Sequence, residues 1–185
     1  MKRIVLTFGL ISGAIMSGMM LLIIPFADRI GFDKGMIIGY TMMVLASLLV
    51  FFGIRSYRDS IGEGRISFKR GVGVGLLIMV IASVCYVFTW EIIYHKLLPE
   101  FGEKYAAKAI ENVRNSGKPP EQIEQELQQM KRMMEIYNNN ILINIAITFL
   151  EPLPIGITMT LLSALILRKR KPTESLGTGL PDLQN

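Results

Sequence analysis

Four long stretches of this sequence are almost empty of charge. Ile4 to Ala27, Gly35 to Ile54 and Gly71 to Trp90 contain no Asp, Glu, Lys or Arg, and Ile141 to Leu167 contains only Glu151. A helix on the surface of a soluble domain needs a polar face, and runs this long offer none. At 1.5 Å per residue they make helices of roughly 30 to 40 Å, enough to cross a hydrocarbon core of about 30 Å. Open sheets are excluded there, because lipid supplies no partner for edge backbone groups. Sulfur and imidazole are also scarce. The one cysteine, Cys85, excludes an intramolecular disulfide or a paired redox motif, and with a single histidine the chain has no zinc ligand set of the usual kind.

What charge there is sits at the edges of the apolar runs. Lys and Arg occupy positions 2 and 3, then 55, 58, 65, 69 and 70, then 168 to 171, so those segments hold 11 of the 20 basic residues. The positive-inside rule places both termini and the 55 to 70 loop in the cytoplasm. The net charge of +5 is therefore read as topology, not as a nucleic-acid surface. Met1-Lys2-Arg3 followed by 24 apolar residues without a small-residue cleavage site is expected to be an uncleaved signal anchor. Ile66 and Phe68 could rest on the membrane surface beside Arg65, Lys69 and Arg70, whose charges either bind anionic headgroups or simply set the topology.

Between Glu91 and Asn140 the composition changes to that of a polar helical segment, with seven basic and eight acidic residues. Ala106, Ala109, Ile110 and Val113 follow helical spacing in a first arm that should stop at Ser116-Gly117. Pro119-Pro120 then opens a second arm with the stripe Ile123, Leu127, Met130, Met134 and Tyr137, which should run into the fourth membrane helix. The expected fold is all-α: an integral bundle of four transmembrane helices (4–27, 35–54, 71–90 and 141–167) within 1–171, with an extracytoplasmic hairpin over 96–140. Residues 172–185 should form a disordered cytoplasmic tail.

This order of features resembles a bacterial family of four-helix membrane proteins known as domain of unknown function 4199. The stretches that carry the resemblance are GEGRISFKRG at Gly62 to Gly71, Leu98-Pro99-Glu100-Phe101, and NSGKPPEQIEQELQQM at Asn115 to Met130. It implies a bacterial inner-membrane location and the hairpin layout, and it brings no activity with it.

Glu151-Pro152-Leu153-Pro154 is the most informative tetrapeptide. The two prolines remove the backbone donors that would reach the carbonyls of Thr148 and Leu150, so the helix should break there. A mid-membrane carboxylate costs about 2.5 to 3.5 kcal/mol on insertion scales. The fifteen Leu, Ile and Phe residues of the run return roughly 5 to 9 kcal/mol, so the segment still inserts. Asn144, Thr148, Glu151 and Thr158 are spaced to share one stripe facing the bundle interior. Glu151 is then either a proton or cation site, or a neutral acid that hydrogen-bonds across helices and covers the carbonyls freed by Pro152 and Pro154.

Glu91 and His95, four apart beside Trp90, Tyr86 and Tyr94, are either a pH-sensing pair or the polar end of an aromatic belt. The methionines at 16, 19, 20, 130, 133 and 134 are gap-filling side chains before they are copper ligands. Gly9 with Gly13, Gly35 with Gly39, and Gly71 with Gly75 put small-residue notches on three helices for close packing, within one chain or between copies. No nucleophile, base and orienter stand at recognisable spacing, and no cofactor is expected. The expected role is a non-enzymatic accessory or assembly protein working through its hairpin. Its partners would be membrane lipid and either further copies of itself or another membrane protein. The alternative is a small oligomeric proton-coupled or cation-handling transporter using Glu151.

Overall fold

The computed structural model describes residues 1–97 and 101–169. The expected tail, with Leu98 to Glu100, lies outside the described residues. Among those described the fold is all-α, and no strand is formed. Helix α1 covers Lys2–Ile23, and a 3₁₀ turn at Ile24–Phe26 and the short α2, Ala27–Ile30, reverse the chain. Gly31, at φ 82°, makes the turn into α3, Phe32–Ser60. Helix α4, Phe68–Ile92, is capped by the Ser67 hydroxyl and continues into a π-helical turn at Ile93–Leu97. Helices α5, Phe101–Arg114, and α6, Pro120–Asn139, follow, then α7, Ile141–Leu150, and α8, Leu153–Leu167. Four stretches are helical and apolar enough to cross a membrane: Lys2–Phe26, Lys34–Ser60, Phe68–Leu97 and Ile141–Leu167. Helix α3 runs past its apolar run to Ser60, and in its last turns Asp59 pairs with Arg55 at 3.7 Å and with Arg58 at 2.7 Å.

Helix α1 lies along α3 and α4, and α8 lies in the groove between α3 and α4. Glycines set how close these helices come. A Cβ on Gly13 would stand 2.6 Å from the Cβ of Cys85, and one on Gly75 would stand 2.6 Å from Thr160 Cγ2. Gly9 meets Ile81 and Gly71 meets Ala164 in the same manner. Gly35 and Gly39 differ: nothing lies within 4 Å of where their Cβ atoms would be, so this notch packs no helix. Two glycines outside the expected notches do the work instead, Gly53 against Phe8 and Ile78, and Gly156 against Met79.

The end of the bundle that carries Lys2, Arg3 and the α3–α4 loop is closed by that loop. Glu63 at φ 51° and Gly64 at φ 78° fold it back, and the Lys169 N–H donates to the Ile66 carbonyl at 3.1 Å. Ile66 is 2% exposed and packs with Val5, Ile54, Tyr57 and Leu167. It is therefore a plug in the protein core and not a membrane-surface anchor, because the backbone bridge to Lys169 turns it inward. Phe68 alone of the expected pair stays exposed.

The fourth membrane-crossing stretch is broken as the prolines require, between Leu150 and Leu153. The break changes what the two halves touch. Helix α8 packs on both α3 and α4, whereas α7 packs on α4 and on the end of α6. The junction of α6 and α7 is a single extended residue, Asn140, whose side chain accepts from the N–H groups of Leu142 and Ile143 at 3.1 and 3.2 Å. In α5 and α6 the two expected stripes, Ala106 to Val113 and Ile123 to Tyr137, are the half-buried positions, with the rest of both helices mostly exposed. The helices touch one another, Gly117 at φ 69° makes the turn between them, and no residue of α6 is fully buried.

Candidate functional site

Tyr86, Trp90 and Tyr94 are four residues apart, so α4 and its π-helical turn present them on one face. That face meets α7 and the last turn of α6. Asn144 and Thr148, 1% and 4% exposed, lie side by side on α7, and the Thr148 hydroxyl donates to Asn144 Oδ1 at 3.4 Å. Thr148 Oγ1 is 3.3 Å from the Tyr137 hydroxyl, which accepts from Trp90 Nε1 at 2.8 Å. One turn further out Tyr94 donates to Asn138 Oδ1, and its ring meets Tyr137 edge-on. One turn further in, the Tyr86 hydroxyl donates to Glu151 Oε2 at 3.0 Å. These bonds form a polar seam that ties the third membrane stretch to the broken half of the fourth. Burial pushes the Tyr137 phenol above its ordinary value, with the bonds to Thr148 and Trp90 opposing. Tyr137 therefore stays a neutral hydrogen-bonding group.

Of the four polar residues expected on one interior stripe, Asn144 and Thr148 are buried. Pro152, four residues after Thr148, is buried as well, whereas Glu151 reaches Tyr86 from the edge of that stripe and is itself exposed. Its carboxyl turns across to α4 and does not fold back onto the carbonyls freed by Pro152 and Pro154. Among the described residues, Tyr86 supplies that carboxyl's one hydrogen bond. Thr158 departs from the stripe: it is exposed, and its hydroxyl donates to the Pro154 carbonyl of its own helix at 2.8 Å. The buried positions run in fours straight through the break, Asn144, Thr148, Pro152, Gly156 and Thr160, the last 0% exposed beside Gly75. Spacing of three and seven through Glu151 leaves that stripe and misassigned Thr158.

Glu91 and His95 are together at the end of α4, with His95 Nε2 3.2 Å from Glu91 Oε2. The pair is close enough for charge attraction when His95 is protonated. It is not aligned as a hydrogen bond, and both Glu91 oxygens are shielded from solvent without one. Glu91, Trp90 and Tyr94 form the polar and aromatic rim of the seam. No group of three or more His, Cys, Asp or Glu side chains that could hold a metal occurs among the described residues. The methionine clusters separate, with Met16 and Met20 packing on Met43 in the core and Met133 exposed on α6.

A family model described as "Protein of unknown function (DUF4199)" matches residues 7–169. The chain belongs to that family. The match begins at Thr7, within α1, and ends at Lys169, the residue that bridges to Ile66. Searches of curated proteins and of solved structures find no match. For this DUF4199 chain the partners in the seam that residue types alone did not reveal are Tyr86, as donor to Glu151, and Tyr137, as the link between Trp90 and Thr148. The usable signal was the repeat of four in Tyr86, Trp90 and Tyr94, which a reading as membrane-interface aromatics left unassigned to any helix face.

Proposed function

We propose that this chain is a non-enzymatic accessory or assembly protein of the bacterial inner membrane that acts through the α5–α6 hairpin. The termini and the Ile66 loop are cytoplasmic and the hairpin lies outside, as the distribution of Lys and Arg favours. The observation that carries the reading is the half-covered stripe of α6. Ile123, Leu127, Met130, Met134 and Tyr137 stand in register and half-buried on a helix that packs on α5, and leave apolar surface open on a segment too small to hold a core of its own. The polar seam supports it as well, because it fixes the base of α6 to the membrane bundle and so gives the stripe a set orientation.

The test is crosslinking from Leu127 and Met130 in native membranes, with the bound species identified by mass spectrometry. Leu127→Glu and Met130→Glu should release the partner at least tenfold, and Gln128→Glu, on the exposed face, should retain it. Equal behaviour of all three variants would show that the stripe is no interaction surface. Reporters fused in the 55 to 70 loop should read cytoplasmic, and one at Ser116 to Lys118 extracytoplasmic.

A further inference from the structure

At the basic end α8 fills the groove between α3 and α4, and beyond the Glu151–Pro152 break that groove loses its helix. Gly39 lies one turn before Met43, on the stripe Met43, Ala46, Val50, Ile54 and Tyr57 that α3 turns into the bundle. Nothing stands within 4 Å of the place where a Gly39 Cβ would be, and the same holds for Gly35. Across the groove Glu151 stands at the edge of the buried stripe of Asn144, Thr148 and Pro152 and is itself exposed. Gly39 and Glu151 are thus uncovered together. Tyr86 forms the floor between them, above Met16, Met43 and Ile155.

The level of this opening matters. Glu151 is the eleventh residue of the Ile141–Leu167 stretch, about 5 Å from its midpoint at 1.5 Å per residue. A carboxyl at that depth with one phenol as its partner is incompletely solvated. A basic side chain would complement this carboxyl by charge, and the groove, whose continuation already holds a helix, fits one. A second copy of this chain cannot supply that group, because its four apolar runs contain no Lys, Arg or His.

We propose that the groove between α3 and α7 is the docking site of a transmembrane helix from another protein, one that carries a basic side chain level with Glu151. Gly35 and Gly39 admit its backbone closely, and Glu151 with Tyr86 receives the basic group. This rests on the membrane-crossing helices alone, so it stands or falls separately from the hairpin reading.

The experiment uses the full chain in native membranes with a photoreactive residue at Gly39 or Leu150, and at Phe88, exposed on α4, as the comparison. Positions 39 and 150 should give one discrete protein adduct absent from position 88, and the adduct's own membrane span should contain a basic residue. Glu151→Gln should lower the yield at least tenfold. Exchanging the charges, with Glu151→Lys and an acid at the partner's basic position, should restore it. Gly39→Leu read from position 150 should also abolish the adduct, since the leucine occupies space that is open in the free protein. Adducts to a second copy only, to lipid only, or within one chain between α3 and α7 would overturn the proposal. A heteroadduct indifferent to both Glu151→Gln and Gly39→Leu would overturn it equally.

Discussion

The two ends of the bundle are built from the same kinds of helix and packed by opposite rules. At the basic end α8 sits between α3 and α4, Gly71 and Gly75 bring its backbone close, and Ile66 seals the bottom. Toward the other end the glycines of α3 face open space, and α7 is held to α4 by hydrogen bonds between polar side chains. Apolar interdigitation tolerates no added volume, whereas a polar seam along one side leaves the rest of the helix uncommitted. The Pro152–Pro154 break is what permits both in one chain, because it frees α7 from the direction of α8.

The largest effects should separate the two ends. Gly75→Leu should destabilise the purified protein by about 1 to 3 kcal/mol, since the added side chain meets Thr160 at less than contact distance. Gly39→Leu should stay within about 0.5 kcal/mol of the unmodified chain. Denaturant titration in micelles followed by circular dichroism measures both, and equal losses would erase the contrast. Similar in size is Ile66→Ala, which removes a buried plug and should cost about 2 to 4 kcal/mol. Its neighbour Phe68, exposed, should tolerate alanine in the same titration.

Smaller changes probe the seam. Tyr137→Phe deletes the link between Trp90 and Thr148 and should cost about 1 kcal/mol, with faster amide exchange at the α6–α7 junction. Tyr86→Phe should cost about 0.5 to 1.5 kcal/mol by taking away the one donor to Glu151. Thr158→Val should change stability by no more than about 0.5 kcal/mol, because its hydroxyl serves only its own helix. Thr160→Val should not follow it into a loss either, as the buried Thr160 hydroxyl has no hydrogen-bond partner.

The helices were legible in the sequence because the bilayer imposes a length and excludes charge, and Ile4 to Ala27 or Gly71 to Trp90 satisfy both without ambiguity. The stripes of α5 and α6 were legible for a similar reason, since Ala106, Ala109, Ile110 and Val113 or Ile123 through Tyr137 repeat with the helix. Inward-facing residues within an apolar run were harder, because Leu and Ile suit lipid and core equally. Thr158 was misplaced by stepping through Glu151 in three and seven where the buried stripe steps in fours, and Ile66 by treating a loop residue as free when its carbonyl is tied to Lys169. Gly35 and Gly39 resemble Gly71 and Gly75 in spacing. Which notch is filled depends on where α7 leans, and nothing local to residues 35 to 39 encodes that.

The open groove at Gly39 is the feature from which the contrast and the docking proposal both follow. Cys85 is the chain's one cysteine, so a Cys85→Ser background carries a single spin label at any chosen site. With Gly39→Cys labelled in lipid nanodiscs, collision with dissolved oxygen should approach that of a label at lipid-exposed Phe88 and exceed several-fold that of a label at buried Ala46. An oxygen accessibility at position 39 as low as at position 46 would mean that the groove is closed in the free protein, and would contradict the account.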